Sequence, residues 1–294
     1  METVATIFDR YGAIGARLPA AGPWPRTQRI DSLGDIVDAG HAFVFDAYGV
    51  LNIGDRAIPG ASERLDRLRS AGRRIRILSN AASYDHAGAV AKFDKLGIRV
   101  EDAEIVTSRD ATLAHLDDRR WGCIAAPADD LSDLPAGAYT LGDDAAGYDR
   151  AEGFVFLSTE TWTGERQTLL ERSLLASPRP LVVANADLVA PRETGFSLEP
   201  GHFGHLLADR GIAGIRFFGK PFPEVFEMVE ASLPGIAPDR IVMCGDTLHT
   251  DILGAAARGW RTVLVERDGL FSGEDAMSFC GAAGMFPDWR LPRI

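Results

Sequence analysis

The stretch Phe45–Asn52, FDAYGVLN, runs an apolar segment straight into an aspartate and sets a tyrosine two residues later. The residues up to Phe45, AFVF, have no polar member and read as a buried strand. A turn-rich GVLNIGDRAIPG follows, then a helix carrying Leu65 and Leu68 and closed by Gly72, then a second strand, RIRIL, ending at Ser79. Strand, crossover helix and strand form a β-α-β unit, which implies parallel strands.

The same rhythm returns toward the carboxyl terminus. It runs as strand GIRFF, Gly219 and Lys220, helix PFPEVFEMVEASL, strand RIVMC, Gly245 and Asp246, helix TDILGAAARG and strand RTVLVE. Phe222, Val225, Phe226, Val229 and Leu233 recur at the spacing of one buried helix face. Between these halves lie the strand-like GCIAA, GFVFL and PLVVA, and a helix, ERQTLLERSLLAS, expected to pack Leu169, Leu170, Leu174 and Leu175. The pattern predicts an α/β protein with a parallel-sheet core from residues 1–110 and 203–294 and an inserted α/β cap over 111–202. Residues 1–40 read as an amino-terminal extension, with one helix over 3–18, a break at Pro19, Pro23 and Pro25, and a short helix over 32–39.

Asp46, Ser79, Lys220 and Asp246 each stand at the carboxyl end of a predicted strand. In open α/β sheets ligands bind beyond that edge, so residues distant in sequence can meet in one pocket. Taken singly, Asp46 or Ser79 reads equally well as the cap of a turn or helix. Lys220 is one of three lysines, with Lys92 and Lys95, against 28 arginines, which favours a compact point charge at that position. Gly214–Lys220, GIRFFGK, imitates the front of a phosphate-binding P-loop. Its intervening residues are a bulky strand, and Pro221 stands where the magnesium-binding hydroxyl belongs.

Composition narrows the partners. Against 42 acidic side chains stand 31 basic ones, a formal charge of −11, which gives no general attraction to nucleic acid or an anionic membrane. Cys123, Cys244 and Cys280 are odd in number and widely spaced, as suits reduced thiols and no zinc site. The first 20 residues lack a cationic start followed by an apolar run, and no long uncharged apolar stretch occurs. A soluble cytoplasmic protein is expected.

With these residues in place, the sequence resembles the haloacid dehalogenase (HAD) superfamily, in the class with a C2-type cap that includes NagD-like and pyridoxal-phosphate phosphatases. FDAYGVLNIGDRAIPG is similar to that family's first motif and flap, ILSNAAS to the second, FFGKPFPEVFE to the third and MCGDTLHTDILGAAARG to the fourth. The resemblance implies a Rossmann-like core and a phosphohydrolase acting on a small phosphorylated metabolite. It implies Asp46 as the nucleophile that forms an aspartyl-phosphate, Ser79 and Asn80 as phosphate holders, and Lys220 as the balancing charge. It further implies Mg²⁺ held by Asp46, the backbone carbonyl of Tyr48, Asp246 and Asp251, and a homodimer formed through the cap. The charge argument agrees, since a carboxylate approaches a phosphate dianion only when positive charge offsets their repulsion.

Tyr48 departs from the pattern, because phosphatases of this superfamily carry a second aspartate there, as proton donor and then base. General acid–base catalysis is worth about 10²–10⁴-fold, so a substitute or a good leaving group is required. DAYG also resembles L-2-haloacid dehalogenases, whose chemistry needs no metal; the Asp246 and Asp251 pair argues against that reading. Phosphonatase chemistry needs a cap lysine, and no lysine lies between 96 and 219. Substitute acids are sought at Asp187 and at His202, His205 and His249; Asp187 lies with Asn185 and Arg192 in the cap segment ANADLVAPRETG, which resembles the substrate loop of C2-capped relatives. The plainer readings are that Asp187 ends a strand as a turn residue and that the histidines are packed or solvated. A module that keeps the fold but only binds a phosphorylated ligand or a partner is the remaining alternative, and Tyr48 is the feature that favours it.

Overall fold

Strand Ala42–Phe45 lies inside a seven-stranded, wholly parallel sheet in the computed structural model, which describes residues 2–294. The strand order is Gln28–Arg29, Trp289–Leu291, Arg261–Val265, Ile241–Gly245, Ala42–Phe45, Arg74–Ser79 and Ile105–Thr107. Ala42, Phe43, Val44 and Phe45 are all fully buried, because helices cover both faces of the sheet and each strand must be apolar on both sides. Helix Ala61–Ser70 inserts Leu65 and Leu68 on one side and stops where Gly72 takes φ +76°, a conformation that costs glycine nothing. Helix Pro223–Ala231 opens with Pro223, whose missing N–H is unneeded in a first turn, and buries Val225, Phe226 and Val229 on the other. Removing each such side chain from water stabilises the fold by about 1.5–3 kcal/mol.

Register places the site. Phe45 pairs with Cys244 on one side and Ile77 on the other, so Asp46, Asp246 and Ser79 leave adjacent strands at one edge. The Asp46 N–H still donates to the Cys244 carbonyl at 2.9 Å, which keeps that residue in line with the sheet.

A second parallel sheet, of five strands, forms the inserted unit in the order Ile215–Phe217, Leu181–Val183, Gly153–Phe156, Trp121–Ile124 and Tyr139–Thr140. Here the expected boundary moves. Strand Ile215–Phe217 pairs with Leu181–Val183 and helix Pro200–Asp209 packs Leu207 in the same cluster, so the insert runs on to Phe217 instead of ending at 202. Lys220 therefore follows a strand of the inserted sheet and reaches the core edge from the returning chain. Periodicity registers a strand but not which of two parallel sheets takes it. Within helix Gly164–Ala176 Leu170 and Leu174 are buried, whereas Leu175, expected to pack, is 58% exposed.

The amino-terminal extension is woven into the core. Its first helix is Val4–Ala13, shorter than predicted and followed by a 3₁₀ turn at Gly15–Arg17; the second is only a 3₁₀ turn, Leu33–Ile36. Between them Gln28–Arg29 adds an edge strand. No helix among the described residues is long and apolar enough to cross a membrane.

Candidate active site

A cavity of about 610 Å³ opens where the core edge faces the inserted unit, and Asp46, Tyr48, Ser79, Asp187, Arg192 and Asp246 all contribute to its wall. Behind the Asp46 of that wall the Lys220 ammonium sits 2.5 Å from Asp46 Oδ1 and 2.7 Å from Asp251 Oδ1, with its side chain only 2% exposed. Burial works against that charge, but Asp251, Asp46 and Asp187 together hold the lysine above its ordinary pKa.

Asp46, Asp246 and Asp251 bring carboxylate oxygens within 4.8 Å of one another. Asp246 is fixed by the Leu270 N–H, which donates to Oδ2 at 2.7 Å, and by the Thr247 hydroxyl, which donates to Oδ1 at 3.1 Å. The Thr247 N–H donates to Asp251 Oδ2 at 3.1 Å. Two close approaches depend on glycine. Gly49 has φ +79°, and a Cβ there would lie 2.6 Å from Asp246 Oδ2; one on Gly245 would overlap Asp251. Burial, then the charges of Asp46 and Asp251, push Asp246 well above the usual carboxylate range. Asp251 rises to about 6, through burial and Asp46 against the pull of Lys220.

These features fit a hard divalent cation. Fully ionised, the three carboxylates would outnumber the one ammonium beside them by two charges. The donor set is oxygen only. Asp251 Oδ1 is buried and, despite the nearby ammonium, has no aligned hydrogen-bond donor.

Ser79 is 5% exposed and lines the cavity, with its Oγ accepting the Ala81 N–H at 3.2 Å. Asn80, expected to hold phosphate, spends its side chain elsewhere. Its Nδ2 donates to the Lys220 carbonyl at 2.9 Å and to Asp187 Oδ1 at 2.8 Å, while its Oδ1 accepts the Lys220 N–H at 2.6 Å. The amide thus clamps the lysine and the cap loop, and its backbone N–H is what it can still offer a phosphoryl group.

Asp187 enters from the inserted unit, and its N–H donates to Asn185 Oδ1 at 2.9 Å. Burial drives its carboxyl well above the usual range, with Lys220 opposing and Asp46 reinforcing the shift. Asn185 Nδ2 donates to Glu199 Oε2 at 3.2 Å, and Arg192 pairs with Glu199 at 3.1 Å. The histidines do not line the cavity. His249 is buried against Tyr11 and Phe8, and burial depresses it to about 4; His205 lies against Phe217, and burial depresses it to about 3.

Sequence reasoning counted Lys92 among the three lysines but gave it no place in the site. Its Nζ is buried without a hydrogen-bond partner and lies over the Tyr48 ring. It also missed Thr247, although that residue adjoins Asp246 in the fourth motif and polar side chains beside a metal-type carboxylate commonly orient it.

Comparison with known proteins agrees with this geometry. A family model described as haloacid dehalogenase-like hydrolase matches residues 43–129, and a second HAD-type model matches 217–285. Chronophin of Bos taurus is 30% identical over 280 residues, covering 85% of this chain and 89% of that protein. The chloroplastic phosphoglycolate phosphatase 1A of Arabidopsis thaliana is 33% identical over 103 residues, but the match covers 34% of this chain and only 28% of that enzyme's length. Among solved structures, a possible sugar phosphatase of the HAD superfamily from Cytophaga hutchinsonii superposes with a TM-score of 0.80 at 23% identity, covering 91% of this chain and 98% of that one. The chain belongs to the haloacid dehalogenase-like hydrolases.

Proposed function

We propose that this protein is a Mg²⁺-dependent phosphohydrolase that cleaves a small phosphorylated metabolite through an aspartyl-phosphate on Asp46. The observation that carries the reading is the convergence of Asp46 and Asp251 on the buried Lys220 ammonium, at 2.5 and 2.7 Å, beside Asp246. An Asp46 oxygen attacks phosphorus while the bond from phosphorus to the leaving oxygen breaks, and that oxygen departs with the bonding electron pair and takes its proton from solvent. Water then attacks phosphorus, returning the Asp46 carboxylate and releasing inorganic phosphate. Lys220 holds Asp46 in place and offsets the charge of the incoming dianion. Ser79 and the backbone N–H of Asn80 take phosphoryl oxygens. The cation, held by Asp46, Asp246, Asp251 and the Tyr48 carbonyl, supplies Lewis-acid neutralisation of the same charge.

The wall of the inserted unit selects the substrate. Ser158, Asn185, Arg192 and Glu199 on that wall offer a polar metabolite several hydrogen-bonding groups. The test is phosphate release from a broad panel of phosphorylated metabolites, with and without Mg²⁺, alongside Asp46→Asn. Release that survives both metal removal and Asp46→Asn rejects the reading. A protein that binds phosphorylated ligands but releases nothing from any of them supports the binding-module alternative instead.

A further inference from the structure

The amino-terminal helix Val4–Ala13 buries Ile7 and Tyr11 in a cluster that spans both units. That cluster joins Leu188 and Val189 of the insert to Leu248 and Ile252 of the core. Tyr11 is 2% exposed and touches each side with a different part of its side chain. Its hydroxyl oxygen accepts the Leu188 N–H at 3.2 Å, next to Asp187 in the chain. Its ring stacks on His249 with centroids 4.9 Å apart and planes 4° from parallel, and Phe8 meets the same imidazole edge-on at 5.4 Å. His249 belongs to the turn Leu248–Ile252 that carries Asp251. Outside the cluster, Arg10 and Arg17 both pair with Asp209, at the end of helix Pro200–Asp209, at 2.6 and 2.7 Å.

From Leu188 the contacts run inward without a gap. Asp187 accepts from Asn80, Asn80 grips the Lys220 backbone, and Lys220 pairs with Asp46 and Asp251. We propose that Tyr11 is a positioning residue of the active site: it ties the Asn185–Val189 loop of the insert to the Leu248–Ile252 turn of the core, so that Asp187 and Asp251 face the phosphoryl position in a fixed relation. A tyrosine suits this task because one end is a flat apolar surface and the other a polar tip. As a statement about catalysis the proposal rests on the phosphohydrolase reading; as a statement about the loop it stands on the contacts alone.

Tyr11→Phe in the full-length protein separates the two. The ring and its stack on His249 stay, while the Leu188 N–H loses its acceptor. Turnover of p-nitrophenyl phosphate with Mg²⁺ is expected to fall about tenfold in kcat, the size of effect seen when groups behind a metal site are disturbed. KM should move little and the thermal midpoint should stay near wild type. Amide hydrogen exchange should quicken across the whole Asn185–Val189 loop, and not at Leu188 alone. Tyr11→Leu, which removes both contacts, should extend the faster exchange to Leu248–Ile252. A merely space-filling Tyr11 predicts wild-type kcat and wild-type exchange across the loop in the Phe variant, with only Tyr11→Leu losing stability. Wild-type kcat, or unchanged loop exchange, in Tyr11→Phe overturns the proposal. If the wild-type protein releases no phosphate at all, the phosphohydrolase reading fails separately, and the exchange pattern still decides what Tyr11 does.

Discussion

The Lys92 ammonium lies 3.7 Å from the centroid of the Tyr48 ring, and the Arg192 guanidinium lies 5.4 Å from the same centroid. Tyr48 is therefore held by cations of the core and the insert, and its ring stands in for the missing hydrogen-bond partner of a buried ammonium. Restoring an aspartate at 48 is then no simple repair. In Tyr48→Asp the new carboxylate meets Lys92 and Arg192 before it meets substrate, so the single change should gain little on alkyl phosphates. Combining it with Lys92→Met removes the nearer of the two cations, and alkyl-phosphate turnover should exceed wild type by about tenfold or more, the low end of what acid–base catalysis supplies being about 10²-fold. The wild type itself should favour aryl and acyl phosphates, with rates falling steeply as the leaving-group pKa rises. A shallow wild-type dependence would sink this account and point to Asp187 as the donor.

Asp46→Asn should reduce phosphate release to background while leaving the fold intact, because Asp251 remains 2.7 Å from Lys220 as its counter-charge. Chelation of divalent metal should have the same effect and Mg²⁺ should reverse it. A second readout needs no turnover. Binding to the native state alone raises stability by about 2.7 kcal/mol at one hundred times the dissociation constant, so Mg²⁺ should raise the melting temperature of the wild type. Asp246→Asn should abolish that shift; an unchanged shift would remove Asp246 from the metal site.

Gly49→Ala tests whether the carboxylate geometry depends on a missing side chain. Its φ of +79° disfavours any L residue, and the added methyl would lie 2.6 Å from Asp246 Oδ2 and 2.7 Å from the Gly269 Cα. Asp246 must then shift or lose the Leu270 N–H. The expected result is a loss of activity of roughly 10–100-fold with a higher Mg²⁺ requirement, as for other groups that orient metal ligands. Wild-type Mg²⁺ dependence in this variant would contradict it.

His205 makes acid lability measurable. The residue is fully buried, neither ring nitrogen has a hydrogen-bond partner, and burial depresses its pKa from 6.5 to about 3. Between those values the unfolded chain binds a proton that the folded chain refuses, so the contribution of neutral His205 to stability shrinks as pH drops below 6.5 and is gone by about 3. At pH 5 the deficit relative to neutral pH is about 2 kcal/mol. His205→Phe should remove that component. Urea midpoints at pH 7 and pH 5 should then lie closer together in the variant, and an equal gap in both proteins would show that His205 is not the group involved.

Much of the site was legible in the sequence because each parallel strand exposes its last residues at the same edge. AFVF before Asp46, RIRIL before Ser79 and RIVMC before Gly245 and Asp246 therefore placed their polar residues together before any distance was known. The resemblance to the fourth motif likewise pointed to Asp251 beside Asp246, and the turn Leu248–Ile252 carries it there. What sequence could not decide was everything set by contacts between segments far apart. It could not say that Ile215–Phe217 joins the inserted sheet, because a strand's periodicity is the same in either sheet. Nor could it say that the Asn80 amide is consumed by Lys220 and Asp187, since a side chain's partners depend on what the fold brings to it. Nothing in the sequence set Lys92 apart until tertiary packing laid it over Tyr48. Nothing in the sequence singled out Tyr11 in the amino-terminal extension until the chain, having crossed both units, brought Leu188 to its hydroxyl and His249 to the face of its ring.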